Sequence, residues 1–226
     1  MKTGAIRLWD SFCARYDVLT DSVPLFDLSD ERVVRTREIG KANIRRVLCR
    51  SEAMEAVIRQ AASALVDDWV MRTRQFDGLI YMAGSIEGET FAPLYIGKAE
   101  VAGKTPGVLS ANFNGVQTDT SKFARWGDGY AYHIGDLSAC VVPGHAPNKI
   151  TKKYSAWAQA MFVEFPSHQP VLRKPIYFWA KAWKPENLGV FEELGQTSLA
   201  NLEYELIGVV GRVFPNLLNY EGQPRW

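Results

Sequence analysis

Tyr81, Tyr95 and Lys98 stand close together in the chain, and their side chains suit phosphate chemistry. Each tyrosine lies in a short run of strand-favouring residues, 78–83 and 93–97, and a polar, glycine-containing stretch separates the two runs. Such a pair of runs predicts a β-hairpin, here with a long loop. The hairpin would bring two phenols close to an ammonium group. The phenol ionises only at a pKa of about 10, so it acts as a base only where a nearby cation lowers that value.

These residues carry a family resemblance. Residues 78–81 read GLIY and residues 95–98 read YIGK, which resembles the two-part signature of the GIY-YIG nucleases. The second part matches letter for letter, and the first carries one additional residue. The resemblance implies a site built from two strand tyrosines, a basic residue on the following segment, a glutamate on a later helix and an asparagine beyond it. It also implies a metal-dependent endonuclease that uses Mg²⁺ or Mn²⁺, similar to restriction enzymes.

A C-terminal segment resembles the glutamate part of that pattern. Residues 203–207 read EYELI, and residues 214–219 read FPNLLN. By this match Glu203 is the metal ligand and Asn219 is the family's asparagine. Glu205 and Asn216 stay open as alternatives. The two glutamates point about 200° apart around a helix, so only one of them can face the hairpin, and helix phase does not choose between them.

The catalytic arginine of the resembled family is harder to place. Arg125 is the candidate, although its stretch is rich in turn-forming residues rather than helical. Lys122 and Lys104 compete with it. The structural alternative is that Arg125 is a surface charge paired with Asp128.

The resemblance assigns chemical roles to these side chains. Tyr81 or Tyr95 would deprotonate or position the attacking water, and Lys98 would lower the phenol's pKa and hold the phosphate. His133 is a candidate general base or phosphate contact, although a lone histidine is more often structural. Without catalysis, both tyrosines would pack under the hairpin with their hydroxyls bonded to the backbone.

A basic stretch lies upstream of the hairpin, between residues 32 and 50. Lysine and arginine supply most of the sequence-independent affinity for a duplex, so this stretch predicts a nucleic-acid-binding surface. The candidate contacts are Arg35, Arg37, Lys41, Arg45 and Arg46. The alternative interpretation is a solvated helix face.

A second phosphate-binding pattern is weaker. Gly97, followed by Gly103-Lys104-Thr105, suggests a P-loop after a strand. The spacing between the two glycines is one residue too long for that motif, so a nucleotide-binding enzyme is a minor alternative.

The elements that must position these residues follow from periodicity. Helical spacing predicts two or three helices over residues 30–75, with Ser51 as an N-cap, and a helix over 198–214 that Pro215 ends. The predicted strands cover residues 78–83, 93–97, 129–134, 156–165 and 176–183. The expected fold class is α/β (α+β), and the resemblance implies a small, mainly antiparallel sheet flanked by helices. We expect an N-terminal helical extension over 1–75 and a catalytic domain over 76–226 with an insertion around 130–170.

Composition sets broad limits on function. Apolar residues make up 47 % and charged residues 23 % of the chain, as in ordinary globular proteins. The formal net charge of +1 neither indicates nor excludes nucleic acid, because local clustering is what attracts a polyanion. The sequence shows no membrane-spanning run and no signal-peptide core. Cys13, Cys49 and Cys140 form no CxxC pattern, so we expect reduced thiols in a cytoplasmic protein.

The sequence therefore leaves two main functions in competition. The first is an endonuclease acting on DNA, double-stranded by expectation and without a membrane partner. A homodimer would fit this function, since cutting both strands often needs two copies of a single-site nuclease. The alternative is a non-catalytic nucleic-acid-binding protein that keeps the fold and uses the basic stretch as its main surface.

Overall fold

A computed structural model describes residues 2–219 of the chain. The helices of this range are α1 (Lys2–Arg15), α2 (Glu52–Met71), α3 (His133–Val141), α4 (Lys152–Met161) and α5 (Leu199–Val213). The strands are β1 (Val23–Pro24), β2 (Thr36–Ile39), β3 (Arg45–Leu48), β4 (Gly78–Glu87), β5 (Thr90–Glu100) and β6 (Tyr177–Trp183). Short 3₁₀ turns lie at Phe123–Arg125, Pro147–Lys149 and Glu192–Leu194.

The central sheet of residues 2–219 is antiparallel and has four strands in the order β1-β6-β4-β5. β5 is therefore an edge strand, and β4 lies between β5 and β6. The predicted hairpin is confirmed, but its long loop is wrong, because β4 and β5 join through two residues, Gly88 and Glu89. Ser85 pairs with Ala92, so the strands continue through the polar stretch beyond the apolar runs.

A hydrophobic core covers each face of this sheet. On one face α2 contributes Ile58 beside Leu79 of β4. On the other face Trp9 of α1 and Leu202 of α5 pack beside Ile80. Residues 2–75 thus place a helix in each core, and their strand β1 pairs with β6 at the far edge of the sheet.

The helical prediction for residues 30–50 is wrong. These residues form β2 and β3, a two-stranded antiparallel ribbon in which Arg37 pairs with Val47 and Glu38 with Arg46. The apparent helical spacing of Ile44 and Val47 was accidental. Ile44 is 63 % exposed whereas Val47 is fully buried, so the two residues share no buried face.

Two strand predictions in the 129–165 region are also wrong. Residues 129–132 form turns, and His133 begins α3. Residues 156–161 belong to α4, whose N-cap Thr151 accepts a hydrogen bond from the Tyr154 amide. The buried positions of α4 recur at helical steps, which is the signal that the strand interpretation overlooked. Helix α1 was not predicted.

The elements that flank the site agree with the prediction. α2 begins after Ser51, whose hydroxyl accepts from the Met54 amide, and α5 begins after Ser198, whose hydroxyl accepts from the Asn201 amide. Such side-chain caps satisfy amides that the first helical turn leaves unpaired. β6 covers the strand expected over residues 176–183.

Candidate active site

The hairpin brings the two tyrosines together on one face of the sheet. Tyr81 pairs with Gly97 across the strands, Ala83 pairs with Tyr95, and the two tyrosine ring centroids are 6.4 Å apart. The Tyr81 ring lies over β5, because a Cβ atom at Gly97 would stand 2.6 Å from Tyr81 Cε2. Glycine is therefore the residue that lets the ring cross the edge strand. The Tyr81 hydroxyl lies 3.3 Å from the Lys98 carbonyl oxygen, to which it can donate.

His133 connects Tyr81 to a second buried tyrosine. Its Nε2 is 3.1 Å from the Tyr81 hydroxyl, and its Nδ1 is 2.8 Å from the Tyr154 hydroxyl. Burial, together with the Lys153 and Arg125 cations, holds the pKa of His133 well below its ordinary value. A neutral imidazole has one donor and one acceptor nitrogen, so one phenol donates to the ring and the other accepts from it. The chain Tyr81–His133–Tyr154 fixes the orientation of all three rings.

The environment of Tyr81 disfavours a role as a base. Burial raises the pKa of the Tyr81 phenol well above its ordinary value, Tyr95 and Glu203 add to that shift, and Arg125 opposes it. Tyr81 is 1 % exposed. The cation that lowers the pKa of its phenol is Arg125 rather than the predicted Lys98. A phenol in this state stays protonated. Tyr95 is half-buried.

Lys98 lies on the opposite pleat from the tyrosines. It pairs with Ile80 across the hairpin, so its side chain shares the face that α5 covers. The ammonium group forms an ion pair with Glu100, two residues further along the strand. Lys98 also lines a cavity of about 710 Å³ together with Arg125, Tyr132 and Glu203. The site thus extends around the edge of the sheet rather than over one face.

A second cavity adjoins the first at Glu203. It has a volume of about 330 Å³, and Tyr95, Lys153, Glu203 and Asn219 are among its lining residues. Glu203 therefore stands beside Tyr95 in one cavity and beside Lys98 and Arg125 in the other. Its charge also acts on Tyr81, so its carboxylate lies within electrostatic reach of both tyrosines.

Glu205 lies elsewhere and has a different task. Its Oε2 accepts a hydrogen bond from the Val190 amide at 2.9 Å, and its Oε1 accepts from the Thr197 hydroxyl at 3.1 Å. These contacts attach the loop before α5 to the helix. The structure therefore separates the two glutamates that helix phase had left undecided, and it places Glu203 at the cavities.

Asn219 binds the edge strand through its side-chain amide. Its Oδ1 accepts from the Ile96 amide at 3.0 Å, and its Nδ2 donates to the Ile96 carbonyl at 2.8 Å. The Leu218 amide donates to the Leu94 carbonyl at 2.7 Å in the same way. Asn219 thus holds the last described residues against β5 next to Tyr95. Asn216 is exposed.

Arg125 stands in the turn Phe123–Arg125, and its guanidinium lies 5.5 Å from the Tyr132 ring centroid. The expected alternative, a pair with Asp128, is not what forms. Asp128 instead pairs with Arg37 of the ribbon. Of the competing residues, Lys104 lines the larger cavity with Arg125.

The predicted nucleic-acid contacts belong to the ribbon β2–β3 and the residues next to it rather than to a helix: Arg37, Arg45 and Arg46 lie in the strands, Arg35 directly before β2 and Lys41 in the connecting turn. Arg35 is 3.5 Å from Asp27, and Arg46 donates to the Thr36 hydroxyl at 2.7 Å. Arg45 donates to the Asp128 carbonyl and stacks 4.3 Å from the Tyr130 ring centroid. Arg37 pairs with the same aspartate. Lys41 is exposed and lies in the turn between the two strands.

Sequence reasoning missed two residues that the structure adds to the site. Lys153 lies 5.0 Å from the Tyr95 ring centroid and lines the smaller cavity, and Tyr154 completes the hydrogen-bonded chain. Both sit in the first turn of α4. The Thr151 cap and the helical spacing of Tyr154, Trp157 and Met161 could have revealed that helix, although not its place beside the hairpin.

The P-loop alternative is wrong. A P-loop joins a strand to a helix, whereas residues 103–107 make a turn closed by the hydrogen bond from the Gly103 amide to the Val108 carbonyl. Comparisons with models of known protein families, with curated proteins and with solved structures gave no match. Among residues 2–219, no helix has the length and apolar character that crossing a membrane requires.

Proposed function

We propose that the protein is a metal-dependent endonuclease that hydrolyses phosphodiester bonds in DNA, of the GIY-YIG kind and similar to restriction enzymes. The observation that carries this proposal is the meeting of Tyr95, Lys98, Arg125 and Glu203 around two adjoining cavities at the edge of β5. These residues come from three separate parts of the chain: β5, the Phe123–Arg125 turn and α5. Their convergence supports the motif resemblance, which by itself concerned only the hairpin and the C-terminal segment.

Glu203 would hold the divalent ion, Mg²⁺ or Mn²⁺. Among residues 2–219 no group of three or more acidic, histidine or cysteine side chains could hold a metal. A single carboxylate suits Mg²⁺ all the same, since this ion keeps several waters and is commonly bound through one or two carboxylates plus substrate phosphate oxygens. When bound, such an ion stabilises charge on the phosphoryl group and acidifies a coordinated water.

The remaining side chains would either contact the phosphate charge or orient the reacting groups. Arg125 and Lys98 would contact the phosphate oxygens, with the planar guanidinium suited to two of them at once. Tyr95 would position the attacking water. Tyr81 and His133 are buried and neutral, because the pKa of each is shifted away from neutral pH. Their role would be to hold the Tyr95 ring in place, since both rings contact it.

Duplex DNA is the substrate that the surroundings fit. Lys104 lines the larger cavity and Lys153 the smaller one, so cations flank Glu203 on both sides. Such flanking cations supply affinity for a backbone without reading its sequence. We expect two copies to act on one duplex, since the proposed site holds one set of catalytic groups and a duplex has two strands.

Incubation of supercoiled plasmid with the protein in Mg²⁺, Mn²⁺ or chelator tests this proposal. We expect nicked or linear product with either metal and intact plasmid with chelator. Arg125→Ala should lower the rate by a factor of about 100 or more while the variant still binds DNA. Metal-independent cleavage, or full activity in Arg125→Ala, would contradict the assignment.

One observation favours the alternative of a non-catalytic nucleic-acid-binding protein. Tyr81 and His133 are each 1 % exposed, so two residues of the resembled constellation do not reach a substrate. Under this alternative the ribbon would be the main DNA surface, and Lys41→Glu would abolish binding. Under the proposed function the same change would only weaken binding. Lys41 suits this test better than Arg45, whose side chain holds the ribbon to Asp128.

A further inference from the structure

The turn that carries Arg125 has an unusual backbone. Phe123, Ala124 and Arg125 have φ values of 32°, 49° and 76°, so three consecutive non-glycine residues lie in or near the left-handed region. Phe123 and Ala124 are fully buried, and Arg125 reaches the larger cavity. Such backbone is costly for residues with a Cβ atom and persists where the surroundings impose it.

Arg50 contacts this turn from both sides. Its guanidinium carbon lies 4.4 Å from the Phe123 ring centroid, and its Nη1 donates to the Trp126 carbonyl at 2.7 Å. Phe123 begins the turn and Trp126 follows Arg125. One planar group thus holds the residues on either side of Ala124 and Arg125.

Glu55 of α2 holds the Arg50 guanidinium in turn. Its Oε1 accepts from Arg50 Nε at 3.0 Å and from Nη2 at 2.7 Å. The Arg50 side chain is 2 % exposed, so it cannot serve as a DNA contact although it lies in the basic stretch. A buried ion pair is by itself weak support for stability, because desolvation offsets the attraction. The fork geometry, with hydrogen bonds in two directions and a stacked ring, points to a positional role.

We infer that Arg50, fixed by Glu55, is a positioning residue that keeps the Phe123–Arg125 turn left-handed and so directs Arg125 toward the phosphate. This inference rests on the proposed function for its effect on catalysis. Its structural part concerns the turn alone and stands on the contacts of Arg50.

Arg50→Lys tests the inference, because lysine keeps the positive charge but lacks the planar guanidinium that donates to Glu55 and Trp126 at once. We expect kcat for DNA cleavage to fall about 10–100-fold with KM nearly unchanged, as for a misplaced catalytic group. Arg59→Lys is the matched control. Arg59 binds the same Glu55 but lies further from Phe123, at 5.4 Å, and does not bond Trp126, so its kcat should stay within about twofold of wild type. Glu55→Gln should reproduce part of the Arg50→Lys loss.

Two readouts separate positioning from general damage. In an Arg125→Ala background, Arg50→Lys should cost nothing further in kcat, since it acts through the missing side chain. The Ala124 amide donates to the Asn112 carbonyl and the Trp126 amide to the Phe123 carbonyl, so both bonds depend on the shape of the turn. Exchange of these two amides should rise about tenfold in Arg50→Lys while the Tyr81 amide in β4 stays protected. Unchanged exchange at the turn, or an undiminished kcat loss in the Arg125→Ala background, would overturn the inference. If wild type cuts no DNA, the proposed function fails, and amide exchange alone decides the role of Arg50.

Discussion

Glu203 and Glu205 offer a matched pair of substitutions with opposite expected outcomes. They lie two residues apart on α5, yet Glu203 lines both cavities whereas Glu205 bonds Val190 and Thr197. Replacing each with Gln keeps its shape and removes its charge. We expect Glu203→Gln to abolish cleavage and Glu205→Gln to lower stability.

The magnitudes follow from those contacts. Hydrogen bonds to charged groups contribute about 1.5–3 kcal/mol, and glutamine keeps one acceptor oxygen, so Glu205→Gln should cost about that much. For a chain of this size, each kcal/mol shifts the melting temperature by about 2–4 °C, which gives a decrease of about 3–12 °C. Loss of an outer-shell partner of a metal costs about 10–100-fold in activity, so loss of the proposed ligand Glu203 should reduce activity by more than about 100-fold.

Plasmid nicking in Mg²⁺ and thermal melting, measured on both variants at a temperature where both are folded, check this pair. Glu203→Gln should melt closer to wild type than Glu205→Gln does and should still bind DNA. Glu205→Gln should cleave at a rate within a few-fold of wild type. The reasoning is refuted if Glu203→Gln cleaves normally, or if Glu205→Gln is the variant that loses cleavage while folded.

Three further changes test the wall of the site. Gly97→Ala would force its Cβ against the Tyr81 ring, so overpacking of about 1–3 kcal/mol should lower the melting temperature, and an unchanged melting temperature would contradict that packing. His133 is neutral when folded and has a depressed pKa, so its contribution to stability is present above about pH 6.5 and is lost as pH falls below that value. His133→Asn should therefore show a shallower acid loss of stability, by up to about 1.4 kcal/mol per pH unit as the pH falls below about 6.5, and equal slopes in melting experiments would argue against a neutral histidine. Asn219→Leu removes two hydrogen bonds to Ile96 and should speed exchange of the Ile96 amide and slow cleavage, whereas a protected amide would exclude the edge contact.

Residue types and spacing predicted the elements whose formation depends on residues close together in sequence. The hairpin, the Ser51 and Ser198 caps and β6 all follow from residue type and spacing within one element. The ribbon β2–β3 did not, because its pairing and its contact with Asp128 depend on a loop far along the chain. Residues near one another in sequence set an element, whereas tertiary contacts can override a weak period.

The residues of the candidate site likewise fall into those that one element positions and those that tertiary contacts position. Tyr81, Tyr95 and Lys98 could be placed because one hairpin holds all three. The choice of Glu203 over Glu205 could not be made from the helix, since what distinguishes them is the loop around Val190 that Glu205 binds. Lys153 and Tyr154 could not be predicted, because α4 is distant from the hairpin in sequence and contacts it only in the folded chain.

The edge of β5 explains why these residues meet where they do. Both backbone groups of Ile96 bond to Asn219, so they point outward, and by alternation the Lys98 carbonyl two residues on also points outward. Exposed edges are commonly covered in natural sheets.

The Asn219 segment covers one half of the outer edge of β5. At the other half the Tyr81 hydroxyl crosses above Gly97 and reaches the Lys98 carbonyl. The larger cavity opens along this second half, so the groups proposed for catalysis lie beside the outer edge of β5, where no further strand of residues 2–219 pairs. The covering contact and the proposed site therefore share one strand, and a change that loosens Asn219 should disturb Tyr95 and Glu203 together.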